Sequence, residues 1–350
     1  GDRPVFQLHR PHHHRRPERR EAENAKLGRS RLPLSEKIKE VRALNAGVVL
    51  LNLLVYPGFI FTAVVGLLFL WLVRKLLARF QWRVGPPIYQ TFADVIKLLS
   101  KESVVPENAN RFMFVTAPVL ALAAVTLAML LIPVGAKNSA LGFLGDVIVL
   151  IYLLTIPSVA IIIGGSSSAN PFGAIGASRE ISLTIAYELG LVLSVLTLCV
   201  DVNSLLMESV TGFNFLRYPL AAVALFICVV AKLGITPFDI PEAKTEIMAG
   251  PYTEYSGRLL GIFKLTHAML LFALSSLFVS LFFAGPFTGN YVVDVLVHLV
   301  KCVLVVVVIA VVAAANPRLR IDQALRFFWG FVFVLALIDF TRALIPVLGW

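Results

Sequence analysis

Residues 218–235 read YPLAAVALFICVVAKLGI, residues 236–257 TPFDIPEAKTEIMAGPYTEYSG, and residues 259–284 LLGIFKLTHAMLLFALSSLFVSLFFA. Two apolar runs, each near the ~20 residues a helix needs to cross a bilayer, thus flank four carboxylates, Asp239, Glu242, Glu246 and Glu254, and one cation, Lys244. A plain connector between spans has no need of so much acid. Asp239 followed three residues later by Glu242 has the spacing of a capping box, and Pro241 is tolerated in a first turn. With Gly250 and Pro251 as a stop, the spacing predicts a short helix over residues 240–249. On it Glu242 and Glu246 share a face one turn apart, where like charges repel unless a cation or a shared proton intervenes. Spacing fits a proton-handling or cation-docking site and a solvated acidic loop equally well.

The same alternation of long apolar runs and polar connectors continues in both directions. Of 350 residues 58% are hydrophobic and 15% charged, with a mean hydropathy of +0.84. The predicted fold class is all-α: a polytopic membrane helix bundle of about eight transmembrane helices with one interfacial amphipathic helix. The spans fall near residues 45–73, 112–134, 147–163, 180–200, 218–235, 259–284, 291–315 and 328–348. Loops after the odd-numbered spans carry most of the Lys and Arg, among them Arg74, Lys97, Arg179, Arg258 and Arg320, whereas the other loops carry only Lys137 and Arg217. The positive-inside rule places the odd loops, and with them residues 236–257, in the cytoplasm. An even number of spans then leaves both ends outside, in conflict with a tail whose residues 1–42 hold 12 Lys or Arg against 6 Asp or Glu.

Two regions are therefore expected, a basic tail over residues 1–44, disordered and then amphipathic, and a membrane domain over residues 45–350. Ser35 is a candidate helix cap, and the stretch lacks the cleavage site of a standard signal peptide. His9, His12, His13 and His14 lie in that flexible arm, which makes a poor dedicated metal site. Cys199, Cys228 and Cys302 are far apart within apolar runs, so no cysteine spacing suits zinc or an iron–sulfur cluster. Neither glycine-rich phosphate motif is present, and nothing points to nucleic acid as a partner. Between the first two spans, Ile88, Phe92, Val95, Ile96 and Leu99 form one apolar face while Gln90, Asp94, Lys97 and Lys101 lie elsewhere. That pattern predicts a helix at the cytoplasmic interface, either a surface anchor or one wall of an opening beneath a docked soluble partner.

Charge inside the spans is the remaining signal. Glu180, Thr184, Tyr187 and Glu188 recur at i, i+4, i+7 and i+8, and a carboxylate in hydrocarbon costs roughly 3 kcal/mol on insertion scales. Glu180 at a span end has snorkelling or pairing with Arg179 as its plain account, whereas Glu188 points to a proton or cation path. Asp294, His298 and Lys301 form a second stripe, Lys264 and His267 stand one turn apart, and Lys232 nears the cytoplasmic end of the fifth span. Asp339 and Arg342 read as a structural ion pair. Ion pairs that hold helices together would explain any one of these; spread over several helices they suggest a hydrated polar path.

Four segments in order, RVGPP with QTFADVIKLLSKE, SREISLTIAYELG, PFDIPEAKTEIMAGPYTEYSG and RLRIDQALRFFW, resemble the subunit-one (NuoH-like) family of respiratory complex I. The resemblance runs from about Leu50 onward and is closer to the membrane subunit of energy-converting membrane-bound NiFe-hydrogenases, formate hydrogenlyases and archaeal sulfur-reducing complexes. It implies a membrane subunit that receives a hydrophilic redox arm, comprising a large catalytic and an iron–sulfur subunit, and that contacts antiporter-like membrane subunits in the cytoplasmic membrane of a prokaryote. On this resemblance Asp239, Glu242, Glu246 and Glu254 line the junction with the arm, and Glu180 and Glu188 begin the ion path, to which Lys244, Lys264, His267, Asp294, His298 and Lys301 are added. Arg83, Gln90, Asp94, Lys97, Arg258, Arg320 and Asp322 are assigned to the docking face. It also implies no cofactor in this chain, with NiFe or iron–sulfur centres in the partners, and no catalysis by the chain alone. Lys244 stands where the family's EAE-type motif has an acid, and GPYTEYSG replaces a GFHTEYSG-like run. Both departures resemble the hydrogenase-like branch and put quinone binding in doubt. The first reading is thus an anchoring and coupling subunit of a ferredoxin-linked, proton- or sodium-pumping oxidoreductase. A quinone-chamber subunit of complex I is the second. A stand-alone secondary transporter is the third, against which the two halves show no internal repeat.

Overall fold

A computed structural model describes residues 46–135, 139–141, 146–285 and 289–347. The chain divides into two units, residues 1–50 and residues 51–350. Of the first, only the opening residues of helix α1 (Ala46–Leu54) are described, so the expectations for the basic tail, its histidines and Ser35 lie outside the described residues. In the second unit the long elements are α2 (Phe59–Phe80), α4 (Arg111–Leu131), α5 (Asp146–Ser167), α6 (Pro171–Val202), α8 (Pro219–Lys232), α10 (Gly257–Phe282), α11 (Tyr291–Ala315) and α13 (Phe333–Val347). Shorter pieces are α3 (Tyr89–Ser100), α7 (Met207–Val210), α9 (Lys244–Ile247) and α12 (Ile321–Phe327), and a π-helical turn, Phe328–Val332, joins α12 to α13. Among the described residues there is no strand, and the all-helical polytopic bundle is the observed fold.

Among the described residues, seven helical segments are long and apolar enough to cross a membrane. The remaining predicted span, the fifth, is α8, whose 14 residues reach about 21 Å against a hydrocarbon core of about 30 Å. The apolar run continues beyond it, but Pro219 fixes its start and Gly234, at φ +58°, ends it with a left-handed turn that a glycine adopts freely. One of its first-turn amides is satisfied from another helix: the fully buried Asp339 carboxylate accepts from Ala221 N at 2.9 Å and pairs with Arg342 at 2.7 Å. The expected structural role of that pair is the one observed.

Three boundaries differ from the hydropathy reading in ways that move charges. The first span runs to Phe80, so Arg74, Lys75 and Arg79 sit on the helix. The last begins at Ile321 rather than near 328. The fourth begins at Pro171, capped by the Asn170 side chain accepting from Phe172 N at 2.8 Å. Small and polar residues in GAIGASRE hide this first part from a hydropathy scan. Glu180 is therefore well inside a 32-residue helix and not at its end.

α10 is the central helix, 94% of its most apolar window buried, and it packs against α2, α3, α4 and α11. α6 packs against α5, α8 and α13. The acidic stretch enters between these groups, because Tyr252 and Tyr255 join Phe114, Ala117, Ala121, Ala160, Leu259 and Phe263 in a separate apolar cluster.

Candidate functional site

The acidic loop is organised differently from its sequence pattern. Its helix is the single turn α9, and the span expected over residues 240–249 is not formed. The capping box fails because Asp239 accepts from Arg318 at 2.9 Å, while the position before α9 is Ala243, with no side-chain cap. Glu242 consequently precedes the helix, and the predicted i, i+4 repulsion with Glu246 does not arise. Each acid meets a cation from a different helix: Glu242 lies 3.9 Å from Lys264 and Glu246 2.7 Å from Arg179. The Lys264 ammonium also stands 5.2 Å above the Tyr252 ring. Glu254 accepts from the Asn170 amide and so ties the loop to the start of α6. The Lys244 side chain lies outside the described residues.

Packing holds the loop in this position. Tyr255 stacks on Phe114 at 4.0 Å and donates to the Phe114 carbonyl at 3.0 Å. Pro251 lies so close to Gly176 that a Cβ there would sit 2.5 Å from the proline ring. Burial raises the Tyr255 phenol above its usual value, and burial together with the nearby Glu242 and Glu180 carboxylates does the same to Tyr252.

Under the loop, a cavity of about 40 Å³ is lined by Glu180, Lys232, Asp239, Glu242, His267, Ser158, Thr266 and Tyr252 together with apolar residues. It has room for one to a few waters, by the ~10–15 Å³ one needs, and is far below the ~300 Å³ of an ordinary small-molecule pocket. Two acids of the loop and one from mid-helix, separate in sequence, thus front one water-sized space. The predicted stripe on α6 is real: the buried Tyr187 hydroxyl sits 3.0 Å from Ser158 Oγ and 3.2 Å from Thr184 Oγ1. Glu188, on the same stripe, accepts from Thr155 Oγ1 and pairs at 2.7 Å with Lys232, whose side chain is fully buried and stands 5.3 Å from the Tyr187 ring centre. Lys232 completes this arrangement, although the site residues expected from the sequence omitted it. The available signal was a cation four residues before Thr236 in an otherwise apolar run.

Asp294, His298 and Lys301 form a second group rather than a continuation of the first. They line a cavity of about 20 Å³ with Ser280 and Thr211. His298 Nε2 lies 2.8 Å from Ser276 Oγ, and Lys301 donates to the carbonyls of Phe283, at 2.8 Å, and Gly285. Along α10 the rise from His267 to Ser280 is about 20 Å, so the two groups occupy different depths. Around the loop, Arg179, Asp239, Glu246, Arg318, Arg320 and Asp322 line an open crevice of about 250 Å³. Arg83, Lys97 and Arg258 are exposed, and Asp94 is held by Arg74 at 3.1 Å and Gln90 at 2.9 Å. The predicted interfacial helix is α3, which packs on α10 and leaves Ile88, Ile96 and Leu99 exposed. Among the described residues no cluster of three His, Cys, Asp or Glu is placed to hold a metal.

The model of the NADH dehydrogenase family matches residues 52–343. The H-type subunit of the NADH-quinone oxidoreductase of Dehalococcoides mccartyi (strain CBDB1) is 35% identical over 312 residues, covering 85% of this chain and 87% of that protein. The corresponding subunit 8 of the Thermus thermophilus NADH-quinone oxidoreductase is 36% identical over 301 residues, covering 79% and 82% respectively. Among solved structures, a chain of the membrane-bound sulfane sulfur reductase, an archaeal respiratory membrane complex, superposes with a TM-score of 0.77 at 32% identity and covers 85% of this chain and 99% of that one. The expected resemblance thus holds along nearly the whole membrane domain, and the chain belongs to the NADH dehydrogenase family as a NuoH-like membrane subunit of complex I-like oxidoreductases.

Proposed function

We propose that this subunit anchors a hydrophilic redox arm and couples its turnover to ion movement, in a ferredoxin-linked hydrogenase or sulfur-reductase type of complex in the cytoplasmic membrane. The carrying observation is that Asp239 and Glu242 of the loop and Glu180 of α6 front one water-sized cavity. A change of charge at a docked arm acts first on the loop acids. Through shared water and coupled titration it then reaches Glu180 within the bundle. The crevice of mixed charge beside the loop, with Arg320 and Asp322, suits the arm's polar surface. Antiporter-like subunits would take the ion path onward, and NiFe or iron–sulfur centres would reside in the arm.

A quinone-chamber role is the second reading, favoured by the relatives bearing the name NADH-quinone oxidoreductase. The water-sized cavity in this chain would then need a partner subunit to complete a chamber. Purification of the assembly in mild detergent, with identification of partners, metals and quinone, separates the readings. Nickel and iron with a hydrogenase-like large subunit supports the hydrogenase type, and iron without nickel the sulfur-reductase type. Co-purified quinone supports the chamber, and a lone chain that moves ions in liposomes would return the reading to a transporter.

A further inference from the structure

Lys232 is the last residue of α8 and its side chain is fully buried, yet it touches two separate polar surroundings. On one side it lines the water-sized cavity with Glu180 and Glu242. On the other it donates to Glu188 Oε2 at 2.7 Å. Glu188 does not line that cavity, so Lys232 is the residue that meets both, with its ammonium 5.3 Å from the Tyr187 ring centre. A buried ion pair is weak evidence of stabilisation, because desolvation offsets much of its attraction, but it makes a good two-position element.

We infer that Lys232 is a movable gate in the coupling path, exchanging Glu188 for the cavity carboxylates each time Glu188 takes a proton. In the closed position the ammonium pairs with ionised Glu188, the arrangement observed. The ammonium leaves Glu188 Oε2, breaking that N–H···O bond, and a proton from the cavity side then bonds to the vacated oxygen. The ammonium keeps its three protons and turns to Glu180 or Glu242, so the local charge rises by one. Thr155 remains beside the neutral acid as a hydrogen-bond partner. Release of the proton in the onward direction restores the pair and resets the gate. Lys232 is a positioning residue here and is not consumed. The inference rests on the coupling function proposed above and adds to it the element that joins the cavity to Glu188.

The test uses the assembled complex in membranes, measuring electron transfer, ions moved per electron, and the redox-induced infrared difference signal of protonated carboxyl groups. In Lys232→Arg the charge stays and the planar fork holds a carboxylate more firmly. Assembly and electron transfer are expected near wild type, with ions per electron falling at least fivefold. In the double variant Lys232→Met/Glu188→Gln both charges go together, which avoids stranding one of them. Electron transfer is expected to persist there without coupling, and a carboxyl band is expected to vanish. A merely structural lysine predicts the opposite, coupling retained at the wild-type level in Lys232→Arg. Wild-type coupling in either variant, or a carboxyl signal untouched in the double variant, overturns the gate. Loss of coupling in Glu242→Gln with unchanged coupling in Lys232→Arg would remove the gate alone, whereas unchanged coupling in Glu242→Gln and Glu180→Gln would remove the underlying function.

Discussion

Gly176→Ala alters the loop without touching a titratable group. Its new Cβ would lie 2.5 Å from Pro251 Cδ, 2.8 Å from Pro251 N and 2.8 Å from Gly250 Cα. These are ring and backbone atoms, so no flexible side chain can yield. Reaching ordinary contact requires a shift of about 1 Å, and overpacking of this kind costs about 1–3 kcal/mol. Replacing glycine with alanine within a helix gains about 1 kcal/mol, which offsets part of that cost. Global stability should therefore fall only modestly, while the loop lifts from α6 and the 40 Å³ cavity changes in shape and hydration. Hydrogen exchange followed by mass spectrometry on the assembled complex should show faster exchange across residues 239–256, with the remaining helices unaltered. Ions moved per electron should fall severalfold while electron transfer continues. Wild-type exchange and coupling in Gly176→Ala would refute the reasoning that the loop's seat on α6 shapes the site.

Other outcomes follow from single contacts. Asp339→Ala leaves the Ala221 amide and Arg342 without their partner and should destabilise the assembled subunit by about 3 kcal/mol, read as a lower thermal midpoint. Arg318→Ala removes a half-exposed pair with Asp239; stability should change by less than about 1 kcal/mol, while retention of the redox arm at raised salt should drop. Tyr252 and Tyr255 have folded pKa values raised above the unfolded ~10. Their contribution is complete below that pH and is lost as pH rises above it, since the unfolded state then releases protons the folded state retains. Phenolate absorbance from these two should appear only with opening of the loop, and Tyr255→Phe should remove one of the two titrating groups.

The hydropathy runs made the bundle legible because each long helix carries its own apolar signal, and the four motif segments identified the family. What periodicity could not supply was the partner of each charge. Asp239 and Glu242 have the spacing of a cap, yet Arg318 and Lys264, distant in sequence, claim them and leave α9 with one turn. Glu180 looks terminal because the small residues before it hide the opening turns of α6. α8 looks like a full span because apolar residues continue past Gly234, whose backbone turns the chain. The stripe of Glu180, Thr184, Tyr187 and Glu188 is readable from one helix alone. Its division by Lys232 into a cavity side and a paired side required the tertiary contact between α6 and α8. Asp294, His298 and Lys301 are readable as a cluster, but their separation from the loop depends on depth along α10, which residue spacing on α11 does not encode.

The proposed coupling function rests on the cavity carboxylates. Its most direct test is the number of ions moved per electron by assembled complexes carrying Glu180→Gln, a nearly isosteric change that removes one proton-binding group from the cavity. Retained assembly and electron transfer are expected, with at least a fivefold loss of ion movement. An unchanged ratio at normal electron transfer would contradict a coupling role for the cavity.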